Sequence, residues 1–217
     1  MSRADPPPIP RPPEAVLFDM DGVLVDTFEA WVAVLDECRR RRALAPLGAE
    51  GVRACWGQGI NADCETLFPG EDPERLASEY DELFDRHLGL VRAEAGASEA
   101  VRAIAAGGVR TAVVTNSPLA LTVRIIESLG LADRFDSLAG GDEVRRGKPD
   151  PALLFLAIER LGASKERAVL VGDTRMDLEA ARAAGIAMIG YRISGGSARI
   201  EALAELPPML GLGGAAV

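Results

Sequence analysis

The sequence predicts an α/β fold, a doubly wound parallel sheet with a helical domain inserted after the first strand. Three observations carry this. From Val101 onward, short apolar runs alternate with segments of helical spacing, the pattern of βα units in a parallel sheet. Between about Phe28 and Leu90 the pattern is helical only, and the stretch is too long for a loop. The first apolar run, Val16-Leu17-Phe18, ends in Asp19-Met20-Asp21-Gly22, two carboxylates one residue apart with a glycine after them.

The first strand is Ala15 to Phe18. The insertion, entered near Val25 to Thr27, opens with a helix over Phe28 to Arg42. It breaks at Ala45-Pro46-Leu47-Gly48 and Phe68-Pro69-Gly70, resumes as a helix over Pro73 to Leu88, and is left near Leu90 to Ala97. Val109 to Val114 is the next strand and stops at Thr115-Asn116-Ser117-Pro118. Leu121 to Leu129 has helical spacing and ends at Gly130, a residue suited to the turn that closes a helix. Phe135 to Ala139 is a short strand. Pro151 to Leu161 is a helix with proline at its start and Gly162 after its end. Ala168 to Val171 is a buried-type strand ending at Gly172-Asp173, Leu178 to Ala184 is a helix stopped by Gly185, and Ile186 to Tyr191 is the fifth strand. The expected organisation is a disordered proline-rich tail over 1–14, a sheet core over 15–27 and 91–217, and a helical domain over 28–90.

Composition narrows the function. Of 217 residues, 48% are apolar, enough for a sizeable core. A net charge of -9 argues against a nucleic-acid binder that works through an electrostatic footprint. It leaves room for a small anionic substrate, because a metal ion and one lysine reverse the sign locally. No apolar run approaches the roughly 18 residues that span a membrane, so no membrane partner is expected. Cys38, Cys55 and Cys64 are odd in number and lack paired metal spacing, and read as reduced thiols in a cytoplasm. A monomer or homodimer is expected.

The strand ends carry the chemistry. In open parallel sheets, ligands bind at the carboxyl ends of the strands. On a strand, Asp19 and Asp21 leave the same face, and adjacent carboxylates are costly unless a cation or shared proton relieves them. The pair therefore points to a hard-metal site, an acid/base pair, or both. Thr115 and Asn116 end the second strand; Asp173 ends the fourth, with Asp177 one helical turn on; Gly147-Lys148-Pro149 lies in a loop before it. Four carboxylates, a hydroxyl and an ammonium thus converge on one edge. Gly147-Lys148 is not a phosphate-binding P-loop, since Pro149 stands where Ser or Thr is needed and the upstream glycine is missing.

These residues resemble the haloacid dehalogenase superfamily, in its phosphatase branch with a helical cap. Phe18-Asp19-Met20-Asp21-Gly22-Val23, Val114-Thr115-Asn116, Gly147-Lys148-Pro149 and Gly172-Asp173-Thr174-Arg175-Met176-Asp177 are similar to its four motifs, in order. The resemblance implies a Rossmann-like core and a catalytic set of Asp19, Asp21, Thr115 and Lys148. Asp19 would be the nucleophile that forms an aspartyl-phosphate. Asp21 would be general acid and then base. Thr115, Asn116, Lys148 and Gly22 would bind the substrate, with Lys148 neutralising the nucleophile and the phosphoryl group. Mg²⁺ would be held by Asp19, Asp173 and the main-chain carbonyl of Asp21, with Asp177 on the metal or a water bound to it. The partner would be a small phosphorylated metabolite, and the likeness to phosphoglycolate phosphatases makes 2-phosphoglycolate the substrate named first.

Departures from the family's other branches sharpen this. Dehalogenases of the superfamily lack the second acid, which here is Asp21. Phosphonate-cleaving relatives need a cap lysine, and Lys148 and Lys165 both lie outside 28–90. Sugar-phosphate mutases carry a histidine and a lysine in the hinge and cap, where this chain has Asp26-Thr27-Phe28-Glu29-Ala30-Trp31. Mutase activity and a catalytically retired binding or regulatory fold remain the alternatives. Many relatives have Pro-Gly at the return from the cap; this chain has Ala93-Glu94-Ala95-Gly96-Ala97. His87, the single histidine, reads as a helix-surface or packing residue, and Arg39 to Arg42 as a solvated face at a helix C-terminus. Phe28, Trp31 and Trp56 read as cap core, while Arg53, Trp56 and Gly57-Gln58-Gly59 read alternatively as a cap loop facing the site.

Overall fold

Strand β1 (Ala15–Phe18) lies inside a six-stranded parallel sheet in the computed structural model, which describes residues 5–212. After it come a two-residue strand β2 (Val25–Asp26), helices α1 (Phe28–Arg41), α2 (Gly48–Ala54), α3 (Ile60–Thr66) and α4 (Pro73–Asp85), and a two-residue strand β3 (Arg92–Ala93). The remaining elements are α5 (Ala97–Ala106), β4 (Arg110–Val114), α6 (Leu119–Ser128), β5 (Ser137–Ala139), α7 (Ala152–Leu161), β6 (Ala168–Gly172), α8 (Arg175–Ala184), β7 (Ala187–Tyr191), β8 (Ala198–Ile200) and α9 (Leu206–Met209). The sheet order is β5-β4-β1-β6-β7-β8. The chain winds outward from β1 through β4 and β5, then crosses back to β6 and continues through β7 and β8, which is the doubly wound plan.

Alternation along β1 builds the two helical layers. Ala15 and Leu17 pack with Leu153, Leu154 and Ala181 of α7 and α8, whereas Val16 and Phe18 share the opposite core with Val101 and Ile104 of α5 and Ile125 of α6. Phe18 is in register with Val113 of β4 on one side and Val171 of β6 on the other. The three strands end at one level, so Asp19, Thr115 and Asp173 emerge on one edge.

The sixth strand, β8, exceeds the five that the sequence predicts. It has three residues, with Arg199 exposed, too few for alternation to register. Helix α8 begins earlier than its apolar spacing indicates, because Thr174 caps it and accepts from the Asp177 N–H. The proline-rich lead-in, expected as a disordered tail, lies against the core over its described part. The Pro7 carbonyl accepts from Ser197 Oγ at 2.6 Å, the Pro12 carbonyl accepts from Arg167 at 2.8 Å, and Ile9 packs on the core. Residues 1–4 of that expectation lie outside the described residues.

Four helices stand above the sheet edge. β2 and β3 pair antiparallel at their base, Val25 with Ala93 and Asp26 with Arg92. Glu94 fixes the return from the insertion: its N–H donates to Leu24 O at 2.9 Å, and its carboxylate takes Tyr191 OH at 2.5 Å and Arg192 at 2.8 Å. Of the arginine run expected as a solvated face, Arg40 and Arg41 are exposed, whereas Arg39 and Arg42 brace the insertion. Arg39 donates to the carbonyls of Ala45 and Leu67, and Arg42 pairs with Glu71 and Glu79 and stacks on Phe68. Arg39 thereby satisfies carbonyls that the turn after α1 and the end of α3 leave unpaired. Among the described residues, no helix is long and apolar enough to cross a membrane.

Candidate active site

The parallel register delivers the site. Asp19 is buried, and its Oδ1 accepts the Met20 N–H at 2.7 Å and lies 2.7 Å from Lys148 Nζ. Lys148 Nζ also donates to Asp177 Oδ1 at 2.8 Å and to Val114 O at 3.1 Å. An ammonium has three protons to donate, so Lys148 is fully engaged within the protein. Burial opposes its charge, but Asp177 and Asp19 outweigh burial and hold it above the ordinary lysine range.

Asn116 sets the loop that brings this lysine in. Its Oδ1 accepts the Lys148 N–H at 2.7 Å and its Nδ2 donates to Lys148 O at 2.8 Å, a two-point clamp between β4 and the lysine loop. Gly147 is what lets them meet, since a Cβ there would fall 2.3 Å from Asn116 Oδ1. Asn116 Nδ2 also donates to Gly57 O at 2.9 Å, which ties the helical insertion to the core.

Asp21 faces away from Lys148. Its Oδ1 accepts from the Thr27 hydroxyl and from Trp31 Nε1 at 3.3 Å, and its Oδ2 accepts from Thr115 Oγ1 at 3.3 Å and Ser117 Oγ at 3.1 Å. Gly22 follows in the left-handed region at φ +85°, and a Cβ there would fall 2.2 Å from Asp173 Oδ2. The turn after β1 therefore requires glycine twice over, for its backbone and for Asp173.

Oxygens of Asp19, Asp173 and Asp177 lie within 4.8 Å of one another. Burial and the neighbouring Asp177 push Asp173 up to about 7, and the same causes push Asp19 well above the carboxylate range. Asp173 Oδ1 is buried without a hydrogen-bond partner among the described residues. A buried carboxylate oxygen with no donor is costly, and an all-oxygen set with surplus negative charge suits a hard divalent cation. Asp177 is the most constrained of the three: Lys148 takes Oδ1, while Thr174 donates to Oδ2 through its N–H and its hydroxyl, in the capping box of α8.

The edge opens on a cavity of about 70 Å³ shared with the insertion. Asp19, Asp21 and Lys148 line its floor; Trp31, Trp56, Gln58, Asp63 and Tyr80 line its roof. Trp31 and Trp56, expected as core, serve both purposes: Trp31 packs edge-on against Tyr80 and Phe84, and Trp56 packs on Phe28. Of the loop expected to face the site, Trp56, Gly57 and Gln58 do line the cavity. Arg53 does not; it is exposed, with its guanidinium 4.3 Å above the Phe28 ring. His87 is half-buried at the start of a short turn over Leu88–Leu90, away from the cavity. Ser117, Thr27, Asp63 and Tyr80 are site residues that the sequence did not single out. Ser117 was within reach of that reading, since it sits in the tetrapeptide that ends β4.

A sheet edge that gathers carboxylates, hydroxyls and one buried ammonium under a helical roof belongs to a capped hydrolase of anionic esters. The family follows from sequence comparison: a profile of the haloacid dehalogenase-like hydrolases matches residues 16–191. The chain belongs to that family. It is 34% identical over 177 residues to the N-acetylmuramic acid 6-phosphate phosphatase of Pseudomonas aeruginosa, covering 79% of this chain and 78% of the relative. It is 33% identical over 185 residues to the phosphoglycolate phosphatase of Nitrosospira multiformis, covering 81% and 82%. Among solved structures, CbbY from Rhodobacter sphaeroides in complex with phosphate superposes with a TM-score of 0.78 at 24% identity, over 89% of this chain and 96% of the other. A hydrolase from Pseudomonas syringae superposes with a TM-score of 0.80 at 22% identity, over 90% and 97%. These structures share the fold.

Proposed function

We propose that the chain is a Mg²⁺-dependent phosphomonoesterase of small metabolites, with Asp19 as nucleophile. The observation that carries this reading is the Asp19 carboxylate, buried on the cavity floor at 2.7 Å from an ammonium that three protein acceptors hold in place. In the proposed reaction, a carboxylate oxygen of Asp19 bonds to phosphorus as the ester P–O bond breaks. Asp21 gives a proton to the departing alcohol. A water then bonds to phosphorus, its proton goes to Asp21, and the aspartyl P–O bond breaks to restore Asp19. Thr27 and Trp31 on one oxygen, and Thr115 and Ser117 on the other, orient the Asp21 carboxylate for both transfers.

Asp19 and Asp173 would hold the cation, together with the Asp21 main-chain carbonyl, and the unpartnered Asp173 oxygen supports that assignment. Bound there, Mg²⁺ would offset the repulsion between an anionic carboxylate and an anionic phosphate. Asp177 holds Lys148 and caps α8, so its part is to position the lysine. Lys148 stabilises charge on Asp19 and on the arriving phosphoryl group from where it stands, as a fixed cation. Asn116 holds the lysine loop with its side chain, and Thr115 offers a hydroxyl at the cavity floor.

The mutase and retired-fold alternatives are not favoured, since the motifs are complete and the curated relatives above are phosphatases. Assay of p-nitrophenyl phosphate with Mg²⁺ tests the reading. Turnover should be present in the wild type, depend on Mg²⁺, and fall by about 10⁴-fold or more in Asp19→Asn, the loss expected when a covalent nucleophile is removed. Retained turnover in the variant would contradict it.

A further inference from the structure

The roof of the cavity holds a carboxylate that the hydrolytic chemistry does not use. Asp63 of α3 is 8% exposed and lines the cavity that Asp19 and Asp21 floor. Its Oδ1 accepts from Gln58 Nε2 at 2.5 Å and its Oδ2 from Tyr80 OH at 2.9 Å. A carboxylate has about four acceptor positions, so about two remain for a ligand. Among the described residues, the titratable groups that act on or feel Asp63 are Tyr80 on α4 and the thiols of Cys55 and Cys64, none of them a cation. Among the described residues, the one lysine lining the cavity is committed to Asp19, Asp177 and Val114 O, and no arginine lines it. Burying an uncompensated carboxylate is expensive, and an asparagine of the same shape would cost less.

We propose that Asp63 is a specificity-determining residue that selects phosphomonoesters whose alcohol portion carries hydroxyl donors and no carboxylate. This rests on the phosphatase reading. A hydroxyl at the roof would donate to Asp63 and be held. A substrate carboxylate there would face an anion with no cation to compensate, a repulsive device of the kind that separates near-isosteric ligands. Burial raises Asp63 to about 6, so the discrimination is strongest above that pH and relaxes below it. The proposal separates this chain's substrate from that of the phosphoglycolate phosphatases it resembles.

A matched pair decides the question: 2-hydroxyethyl phosphate against 2-phosphoglycolate, which exchange a CH₂OH for a carboxylate. For the wild type at pH 7.5, kcat/KM should favour the hydroxyethyl ester by about tenfold or more, the scale of a buried charge mismatch. The ratio should narrow toward pH 5.5, where the phosphate titration common to both substrates cancels. Asp63→Asn should collapse the ratio by about tenfold and remove its pH dependence. Equal losses on both substrates in the variant, or a wild-type preference for phosphoglycolate, would overturn the proposal. If Asp63→Asn does not fold, the wild-type pH dependence of the ratio decides alone, and a flat ratio overturns it. Wild-type p-nitrophenyl phosphate hydrolysis separates the two levels: its absence refutes the phosphatase reading, whereas its presence with the wrong ratio refutes only the role of Asp63.

Discussion

The sheet edge and the helical roof enclose the same cavity but hold their acids in opposite ways. On the edge, Asp19 and Asp177 share a lysine, and Asp173 keeps an oxygen with no donor among the described residues. On the roof, Asp63 has two neutral donors and no cation. In the proposed reading, the edge concentrates charge for a cation and a phosphoryl group, and the roof selects by what the phosphoryl group is attached to. The two parts are joined by hydrogen bonds from Asn116 to Gly57 O and from Trp31 to Asp21.

The sharpest way to break this division is on the edge. Lys148→Ala strands two buried carboxylates, and removing one partner of a buried ion pair costs about 3–5 kcal/mol. Urea unfolding should show a loss of that order, and kcat should fall by about 10²–10³ in whatever protein remains folded. Asp21→Asn should divide the two half-reactions. With p-nitrophenyl phosphate, whose leaving group needs no proton, a burst of about one equivalent of p-nitrophenolate should precede a stalled steady state. With alkyl esters, turnover should fall by about 10²–10⁴ and show no burst. On the roof the effect is smaller and appears in stability. Asp63 titrates at about 6 when folded, against an ordinary 3.8. The folded state therefore binds more protons between those values, and the wild type loses stability as pH rises through that window. Asp63→Asn lacks this slope, so its melting temperature relative to wild type should climb from about pH 4 to about pH 6 and level off above that.

The edge was far more legible in the sequence than the roof. Asp19, Asp21, Thr115, Lys148, Asp173 and Asp177 follow apolar runs or sit in loops of recognisable spacing, and a parallel sheet brings strand ends together by necessity. Ser117 lies one residue past Asn116, where the chain has left the strand and no register rule says which way a side chain points. The roof has no such rule. α2 and α3 are seven residues each, too short for periodicity to fix which side faces the core, so Asp63 read as one acid among many. Arg53 looked like a cap residue facing the site because charge at a loop suggests ligand contact, but its guanidinium found the Phe28 ring instead. The arginines at the end of α1 obey the dipole rule, which says nothing of distant carbonyls such as that of Leu67. β8, at three residues, is too brief for alternation to mark it.

The central claim is that Asp19 carries the phosphoryl group. Borohydride reduction of enzyme quenched during turnover of p-nitrophenyl phosphate, followed by peptide mass mapping, tests it most directly. Conversion of Asp19 to homoserine in the wild type, enriched in Asp21→Asn where the intermediate accumulates, is the predicted result. An unmodified Asp19 in enzyme shown to be turning over, or homoserine at another aspartate, would contradict it.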